Sequence, residues 1–244
     1  MSSNLSLVVG GSNGIGLAIA LHLAKTGNVI VVDKSPVNPL YYNDNIKFEQ
    51  FDLLSDDFSI FDKFENVSNL IITAGFGRLA LFEDLSENEI VSQIKVNSIA
   101  PIRIIKHFYG KLNSAEDFNC AVMVSIAGFM SSPFFSTYGA SKAALKIFIE
   151  SVNVELLKNG IGNRILNVSP GSIKGTKFNN GENDIALTMP LAEQIIDRMR
   201  RKEDLWIPQY DEVFCEVLKR YHDDFRAEGM HSYDYKLKSG RIKN

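Results

Sequence analysis

The stretch that decides the fold is LSLVVGGSNGIGLAIALHLA, which runs from residue 5 to residue 24. Its first five residues form a short apolar run that predicts a buried strand, and the residues after Gly16 have helical propensity and spacing. Glycines at such a junction let the chain turn sharply, let a pyrophosphate approach the backbone and seat the helix on the strand. An isolated glycine motif often serves only a turn, but this position between the first strand and the first helix favours a phosphate-binding turn.

Five further apolar runs predict strands, and stretches with helical spacing separate most of them. The runs are residues 29–32, 46–51, 70–73, 121–124 and 164–168. Runs that are buried on both faces and joined by crossover helices predict an α/β fold with a doubly wound parallel sheet of Rossmann type. The crossover after Asp33 is an exception, because the two prolines of residues 35–39 leave room for a short helix at most.

No linker or repeat divides the chain, so residues 1–244 are expected to form a single dinucleotide-binding domain with a helical C-terminal extension from about residue 190. In that extension two amphipathic helices are predicted, over residues 191–201 and 211–225, around an apolar piece at 205–208. The last residues, 229–244, are polar and give no clear structural pattern.

Composition limits the classes of partner. The formal net charge of -3 provides no basic field for nucleic acid, so a small molecule is the expected partner. Cys120 and Cys215 lie far apart, without the spacing of a disulfide framework or a zinc site. The first residues include no apolar stretch long enough for secretion or membrane spanning, so no membrane association and a cytoplasmic location are expected.

Polar and small residues follow the predicted strands at the edge where ligands bind in such sheets. Asp33 ends the second strand, where a carboxylate accepts hydrogen bonds from an adenosine ribose; alone, it also fits a solvated strand end. Asp52 follows the third strand, and Ala74-Gly75 follow the fourth. Because a 2′-phosphate would be repelled by Asp33, NAD is the expected cofactor and NADP the less favoured one, although Lys34 is a contrary feature.

A catalytic group is indicated by Tyr138 and Lys142, which stand at i, i+4 on one predicted helix. A nearby lysine cation is expected to lower the pKa of the phenol from roughly 10, as proton transfer at neutral pH requires. Such a pair also occurs by chance, but Ser125 ends the strand 121–124 at the same edge, where its hydroxyl can hold a substrate oxygen. Asn97 lies within a long helical pattern from about 87 to 111, where an asparagine either has a polar task or is a surface amide or part of a local kink before Pro101.

These motifs together make the chain resemble the short-chain dehydrogenase/reductase family from about residue 5 to residue 180. The family's glycine motif matches Gly10, Gly14 and Gly16, and its catalytic set matches Asn97, Ser125, Tyr138 and Lys142 in order and spacing. The resemblance implies that Tyr138 is the general acid/base and that Ser125 orients the substrate oxygen. It further implies that Lys142 holds the nicotinamide ribose and lowers the tyrosine pKa, and that Asn97 supports a water linking Lys142 to solvent.

The expected cofactor site combines the motif reasoning with the resemblance, which adds Ile173 as a contact of the nicotinamide carboxamide. No metal is implied. Three departures from the family pattern are Val9 for threonine, Ile72-Thr73 for two asparagines, and Thr176, which falls one residue late. The expected cofactor-binding residues are Gly10, Ser12, Asn13, Gly14, Ile15, Gly16, Asp33, Asp52, Leu53, Ala74, Gly75, Tyr138, Lys142, Pro170, Gly171, Ile173 and Thr176.

The expected function is that of an NAD(P)-dependent oxidoreductase interconverting an alcohol and a carbonyl compound. The alternatives are a non-catalytic dinucleotide-binding regulatory module and a sugar-nucleotide epimerase-like enzyme. The first is disfavoured because the tyrosine and the lysine are both present, and the second because its glycine spacing differs and it needs a larger C-terminal domain. The substrate is not indicated: residues 177–181 carry no chemical signature, and the aromatics between Ser125 and Tyr138 fit either an apolar pocket or ordinary core.

A homodimer is expected, because relatives in this family commonly pair the helix that carries the asparagine with the helix that carries the tyrosine and lysine. The family's usual C-terminal strand, which helps to build tetramers, is not visible after Pro208. The apolar faces expected at the dimer interface are Ile99, Ile102 and Ile105 on one helix and Ala144, Phe148 and Val152 on the other.

Overall fold

A computed structural model describes residues 5–178, 181–240 and 242. Its centre is a parallel sheet in the order β3-β2-β1-β4-β5-β6-β7, so that β1 lies where the winding changes direction. The strands are β1 (Leu5–Val9), β2 (Asn28–Asp33), β3 (Ile46–Gln50), β4 (Asn69–Ile72), β5 (Asn119–Met123), β6 (Ile165–Val168) and β7 (Leu205–Trp206).

Helices cover both faces of the sheet, which confirms the doubly wound α/β prediction. One face packs on α3 and α4 with a short 3₁₀ segment, Ser59–Lys63, and the other packs on α1 and α5. The helices are α1 (Gly14–Leu23), α2 (Glu87–Ile94), α3 (Ala100–Leu112), α4 (Ser136–Lys158), α5 (Ile185–Arg200), α6 (Cys215–Asp223) and α7 (Phe225–Lys238). None of the helices in the described ranges is both long and apolar enough to cross a membrane.

The predicted strands all form, with ends that differ by one or two residues. The crossover after Asp33 contains only the 3₁₀ turn Pro39–Tyr41, as its prolines predict. The long helical pattern from 87 to 111 is interrupted by a π-helical turn, Lys95–Ile99, which separates α2 from α3. This turn places Asn97 on the inside of the fold, fully buried.

The C-terminal region differs from its prediction. Helix α5 begins at Ile185 and includes Pro190, and the predicted helix over 211–225 is a π-helical turn, Tyr210–Phe214, followed by α6. The polar residues after 225 form α7, whose first N–H groups are capped by the Asp224 carboxylate. Polar composition conceals this helix because its apolar side chains follow no single face.

Two residues of the expected dimer interface are part of the interior. Ile105 is 2% exposed and Val152 is 7% exposed, because both point from their helices toward the sheet. Ile99 and Ala144 are exposed, and Ile102 and Phe148 are half-buried. The outward face of α4 also carries Ile147 and Val154, which are 57% and 66% exposed.

Candidate active site

The glycine turn joins β1 to α1 so tightly that no side chain fits at Gly10 or Gly16. Gly10 has φ +86°, and a Cβ there would lie 2.4 Å from the Ala74 nitrogen. A Cβ on Gly16 would lie 2.2 Å from the Gly10 oxygen. Gly14 has φ +52° and faces Thr176, whose Cγ2 would be 3.3 Å from an added Cβ. Thr176 therefore lies beside the turn, despite its position one residue late in the family pattern.

The polar residues of the turn bind protein groups in this structure. Asp33 accepts hydrogen bonds from the Ser12 nitrogen, at 3.1 Å, and from the Ser12 hydroxyl, at 2.6 Å. The Asn13 amide donates to that same hydroxyl at 2.8 Å. The Gly14 N–H donates to Asn183 Oδ1 at 2.6 Å, so a carbonyl oxygen lies at the N-terminus of α1. Sequence reasoning missed Asn183, which is 169 residues away along the chain.

The neighbouring strand ends complete this edge of the sheet. The Thr73 hydroxyl donates to the Val9 and Gly10 carbonyls at 3.2 and 3.1 Å. This side chain therefore forms hydrogen bonds with the end of β1 at a position where the family has asparagine. Asp52 is exposed and caps its own turn by accepting from the Leu54 nitrogen at 2.9 Å. The remaining expected cofactor residues here are the half-buried Ile15, Leu53 and Ala74 and the exposed Gly75.

After β6, the Pro170 carbonyl accepts from the Ile126 nitrogen at 3.0 Å, which joins this strand end to Ser125's neighbour. The Ile173 carbonyl accepts from the Thr176 hydroxyl at 3.1 Å. Gly171 lies directly against Phe214, because an added Cβ would be 2.6 Å from its Cζ. Phe214 comes from the C-terminal region and was not expected at this site. Asn179 and Asn180, part of the predicted segment 177–181, lie outside the described residues.

Tyr138 and Ser125 meet in a buried pair at the carboxyl end of β5, and both side chains are 8% exposed. Burial raises the pKa of the Tyr138 phenol to about 12, and a hydrogen bond with Ser125 acts in the opposite direction. The sequence predicted a lowered pKa from the lysine at i+4. That prediction is wrong, because the desolvation of the phenolate dominates.

Lys142 lies one helical turn after Tyr138 and is 2% exposed. Its Nζ donates to the Met123 carbonyl at 2.9 Å and lies 5.8 Å from the centroid of the Tyr138 ring. Burial lowers the pKa of this amine to about 7, so that near neutrality it exchanges protons easily. A Cβ on Gly75 would lie 3.2 Å from this Nζ, which places the end of β4 against the amine.

Asn97 holds the loop after β4 against α4, the helix that carries Tyr138 and Lys142. Its Oδ1 accepts from the Phe76 nitrogen at 3.0 Å, and its Nδ2 donates to the Phe76 carbonyl at 2.8 Å. The same Nδ2 donates to the Ser141 hydroxyl at 3.1 Å. The alternative of a surface amide is therefore wrong. The structure thus brings Asn97, Ser125, Tyr138 and Lys142 to one edge of the sheet, beside the glycine turn.

Residues 4–185 match the family model described as short chain dehydrogenase. The chain belongs to the short chain dehydrogenase family. This dehydrogenase is 30% identical over 176 residues to an uncharacterized short-chain type dehydrogenase/reductase of Sinorhizobium fredii, with 70% of each chain covered. It is 28% identical over 190 residues to an uncharacterized oxidoreductase of Saccharomyces cerevisiae, but it spans only 61% of that protein's length.

A solved short chain dehydrogenase from Burkholderia cenocepacia, in complex with NADP, has the same fold. It superposes with a TM-score of 0.77 at 16% identity, over 95% of this chain and 98% of that one. The family assignment makes this short chain dehydrogenase an oxidoreductase.

Aromatic side chains surround the tyrosine of this dehydrogenase. The Tyr138 ring lies 5.1 Å from the Phe135 ring and 5.3 Å from the Phe178 ring, and Leu79 packs against the same group. The sequence left the choice between pocket and core open for Phe135 and gave no signal for Phe178. Within the described ranges, no group of three histidine, cysteine or acidic side chains is arranged to hold a metal ion.

Proposed function

We propose that this short chain dehydrogenase interconverts an alcohol and a carbonyl compound with a nicotinamide dinucleotide, and that Tyr138 transfers the proton. The observation that carries the proposal is the buried Tyr138–Ser125 pair beside Lys142, at the sheet edge that also holds the glycine turn. Proton transfer requires a group held at the reacting oxygen, and burial excludes competing water.

A phenol with a pKa of about 12 is protonated at neutral pH, so Tyr138 holds the proton that a carbonyl oxygen would receive. Ser125 would hold the same oxygen through its hydroxyl. When bound, the reduced dinucleotide would supply the hydride, so that carbonyl, hydride and proton balance as an alcohol. Lys142, with its pKa of about 7, would return a proton to the phenolate.

The residues at the turn fit a dinucleotide. The glycines let α1 begin close to the end of β1, and the Gly14 N–H at the start of α1 binds a carbonyl oxygen, as it would bind a phosphate oxygen. Thr176 and Ile173 lie on the adjoining segment. These residues would hold the diphosphate and the nicotinamide end, as the family resemblance implies.

The half-buried carboxylate of Asp33 supports a preference for NAD, because a 2′-phosphate would meet like charge there. Several solved relatives in fold, such as the protein from Burkholderia cenocepacia, contain NADP, and Lys34 offers a cation beside Asp33. Competitive titration of both dinucleotides against the parent and Asp33→Ala tests the preference. The parent should bind NAD more tightly, and the variant should lose most of that margin. A parent that binds NADP more tightly would contradict the assignment.

The surroundings of Tyr138 support a substrate with an apolar group next to its carbonyl carbon. Phe135, Phe178 and Leu79 contact the tyrosine in one apolar cluster. A charged substituent in this position would lose its hydration without a partner. Apolar ketones should therefore be better substrates than keto acids or sugars.

The proposed mechanism is tested by Tyr138→Phe, with Tyr42→Phe as the matched control. Tyr42 is 80% exposed and lies in the crossover between β2 and β3. Turnover of apolar ketones, keto acids and sugars is followed by oxidation of the reduced dinucleotide. We expect Tyr138→Phe to lower kcat about 10²–10⁴-fold without changing dinucleotide affinity, since only the transferable proton is lost. Turnover within a few-fold of the parent would refute the assigned role.

The second candidate, a dinucleotide-binding module without catalysis, gives a different result. It predicts a parent that binds the dinucleotide but oxidises it with no member of the panel. The buried pair favours the enzyme. A module that only binds the dinucleotide has no use for a buried tyrosine beside a lysine whose pKa is lowered.

A further inference from the structure

Helix α7 carries a buried cation that faces the loop leading into the catalytic helix. Lys236 is 9% exposed, and its Nζ donates to the Ser132 hydroxyl at 2.8 Å and to the Pro133 carbonyl at 2.7 Å. A buried ammonium group is costly unless hydrogen bonds compensate it. Through these contacts Lys236 connects the loop 131–135 to α7.

This loop has a backbone conformation that depends on its surroundings. Phe134 has φ +64° although it is not glycine, and its carbonyl accepts from the Ala80 nitrogen at 2.9 Å. Its ring packs against Tyr233 of α7, with 4.5 Å between the ring centroids. Non-glycine residues in this region cost of order 1–3 kcal/mol and persist only when neighbours fix them.

The loop continues directly into the first turn of α4. The Phe135 carbonyl accepts from the Gly139 nitrogen at 2.7 Å, and the Phe135 ring lies 5.1 Å from the Tyr138 ring. Lys236 Nζ lies 5.6 Å from the centroid of the same Phe135 ring. A continuous series of contacts thus connects the ammonium group of α7 with the tyrosine.

We propose that α7 is a positioning element for the catalytic tyrosine and that Lys236 is its anchoring residue. The inference rests on the proposed function, because it assumes that Tyr138 transfers the proton. Helix α7 lies beyond residue 185, where the match to the family model ends. Lys236 acts through the loop 131–135 and Phe135, and it touches no reacting atom in this arrangement.

The test compares Lys236→Met, Lys236→Arg and, as a matched control on the same helix, Lys238→Met. Lys238 is exposed. Misplacing a catalytic group by about 1 Å can cost about 10²-fold in rate, so we expect Lys236→Met to lower kcat about 10- to 100-fold. The affinity for the dinucleotide should stay within about twofold of the parent, because the glycine turn is untouched. Lys236→Arg should recover part of kcat, and Lys238→Met should match the parent.

Ser132→Ala provides a milder second variant that removes one hydroxyl. If Lys236 acts through this loop, the double variant Ser132→Ala/Lys236→Met should be no slower than Lys236→Met alone. Parental kcat in Lys236→Met would overturn the proposal, as would an equal loss of kcat and dinucleotide affinity. Failure of the proposed function is distinguishable, because it would show as unchanged turnover in Tyr138→Phe.

Discussion

Two helical glycines, Gly16 and Gly110, have opposite environments. A Cβ on Gly16 would lie 2.2 Å from the Gly10 oxygen and 2.4 Å from Thr73 Oγ1, whereas a Cβ on Gly110 would meet nothing within 4 Å. Gly16→Ala should therefore lower the free energy of unfolding by roughly 3 kcal/mol through overpacking. Gly110→Ala should raise it by about 0.5–1 kcal/mol, because alanine restricts the unfolded chain. Urea unfolding of both variants measures the difference. Equal effects would show that the close contact between Gly16 and the Gly10 oxygen does not require glycine.

The lowered pKa of Lys142 makes stability depend on pH. The pKa is about 7 in the folded protein and 10.5 ordinarily, so between these values the unfolded chain binds the additional proton. The free energy of unfolding should then rise from pH 7 to pH 10. Below pH 7 the cost of burying the charged amine is fully present. For Tyr138 the sign is opposite, and its contribution falls between pH 10 and 12.

Denaturant unfolding of the cofactor-free parent, Lys142→Met and Lys158→Met, at several pH values from 7 to 10, isolates this effect. Lys158 is an exposed lysine at the end of α4. The rise with pH should be present in the parent and in Lys158→Met and should be lost in Lys142→Met. Parallel profiles for all three proteins would show that Lys142 does not cause the rise in the free energy of unfolding.

At this scale the sequence predicts which polar side chains the structure brings together, but not their proton affinities. The order and spacing of Ser125, Tyr138 and Lys142 are local properties that can be read directly. The pKa of the tyrosine depends on how completely the surrounding elements exclude water, and burial reverses the shift expected from the lysine alone. That exclusion involves Phe178, for which the sequence carries no signal.

At the scale of elements, the segment before α5 competes for the glycine turn. Asn183 Oδ1 accepts the Gly14 N–H at 2.6 Å, in the position that we propose for a phosphate oxygen. Asn183→Ala should therefore tighten dinucleotide binding about two- to tenfold, since a hydrogen bond contributes about 0.5–1.5 kcal/mol net. Titration against Glu182→Ala, an exposed neighbour, provides the control. Weaker binding by Asn183→Ala would show that this side chain holds the bound dinucleotide instead.

Elements are predictable where their periodicity is strong. The buried strands and α4 were expected within a few residues, because apolar runs and helical spacing are properties of short windows. Helix α7 was not expected, since its stability comes from distant partners. Its Glu228 binds Arg220 of α6 at 2.7 Å, and its Lys236 binds the loop 131–135.

For the whole molecule, the exposed apolar face of α4 supports a homodimer. Ala144, Ile147 and Val154 follow one another along this face, and Ile99 is exposed on the π-helical turn before α3. Ile147→Glu should shift the protein to monomers, because a carboxylate in an apolar interface loses its hydration. Light scattering at micromolar concentration measures the shift. Leu40→Glu, at an 86% exposed position, should leave the assembly unchanged. A parent that is already monomeric would contradict the dimer.

The central position of β1 has a consequence for the order in which the protein folds. Strand β1 pairs with β2 nearby in the chain, but its other edge pairs with β4, where Ser6 lies beside Asn69. During synthesis this apolar edge emerges before β4 and stays unpaired until residues 69–72 leave the ribosome. An open apolar edge is a template for pairing with another chain. The strand that carries the glycine turn is thus also the segment most in need of protection while the chain is being made.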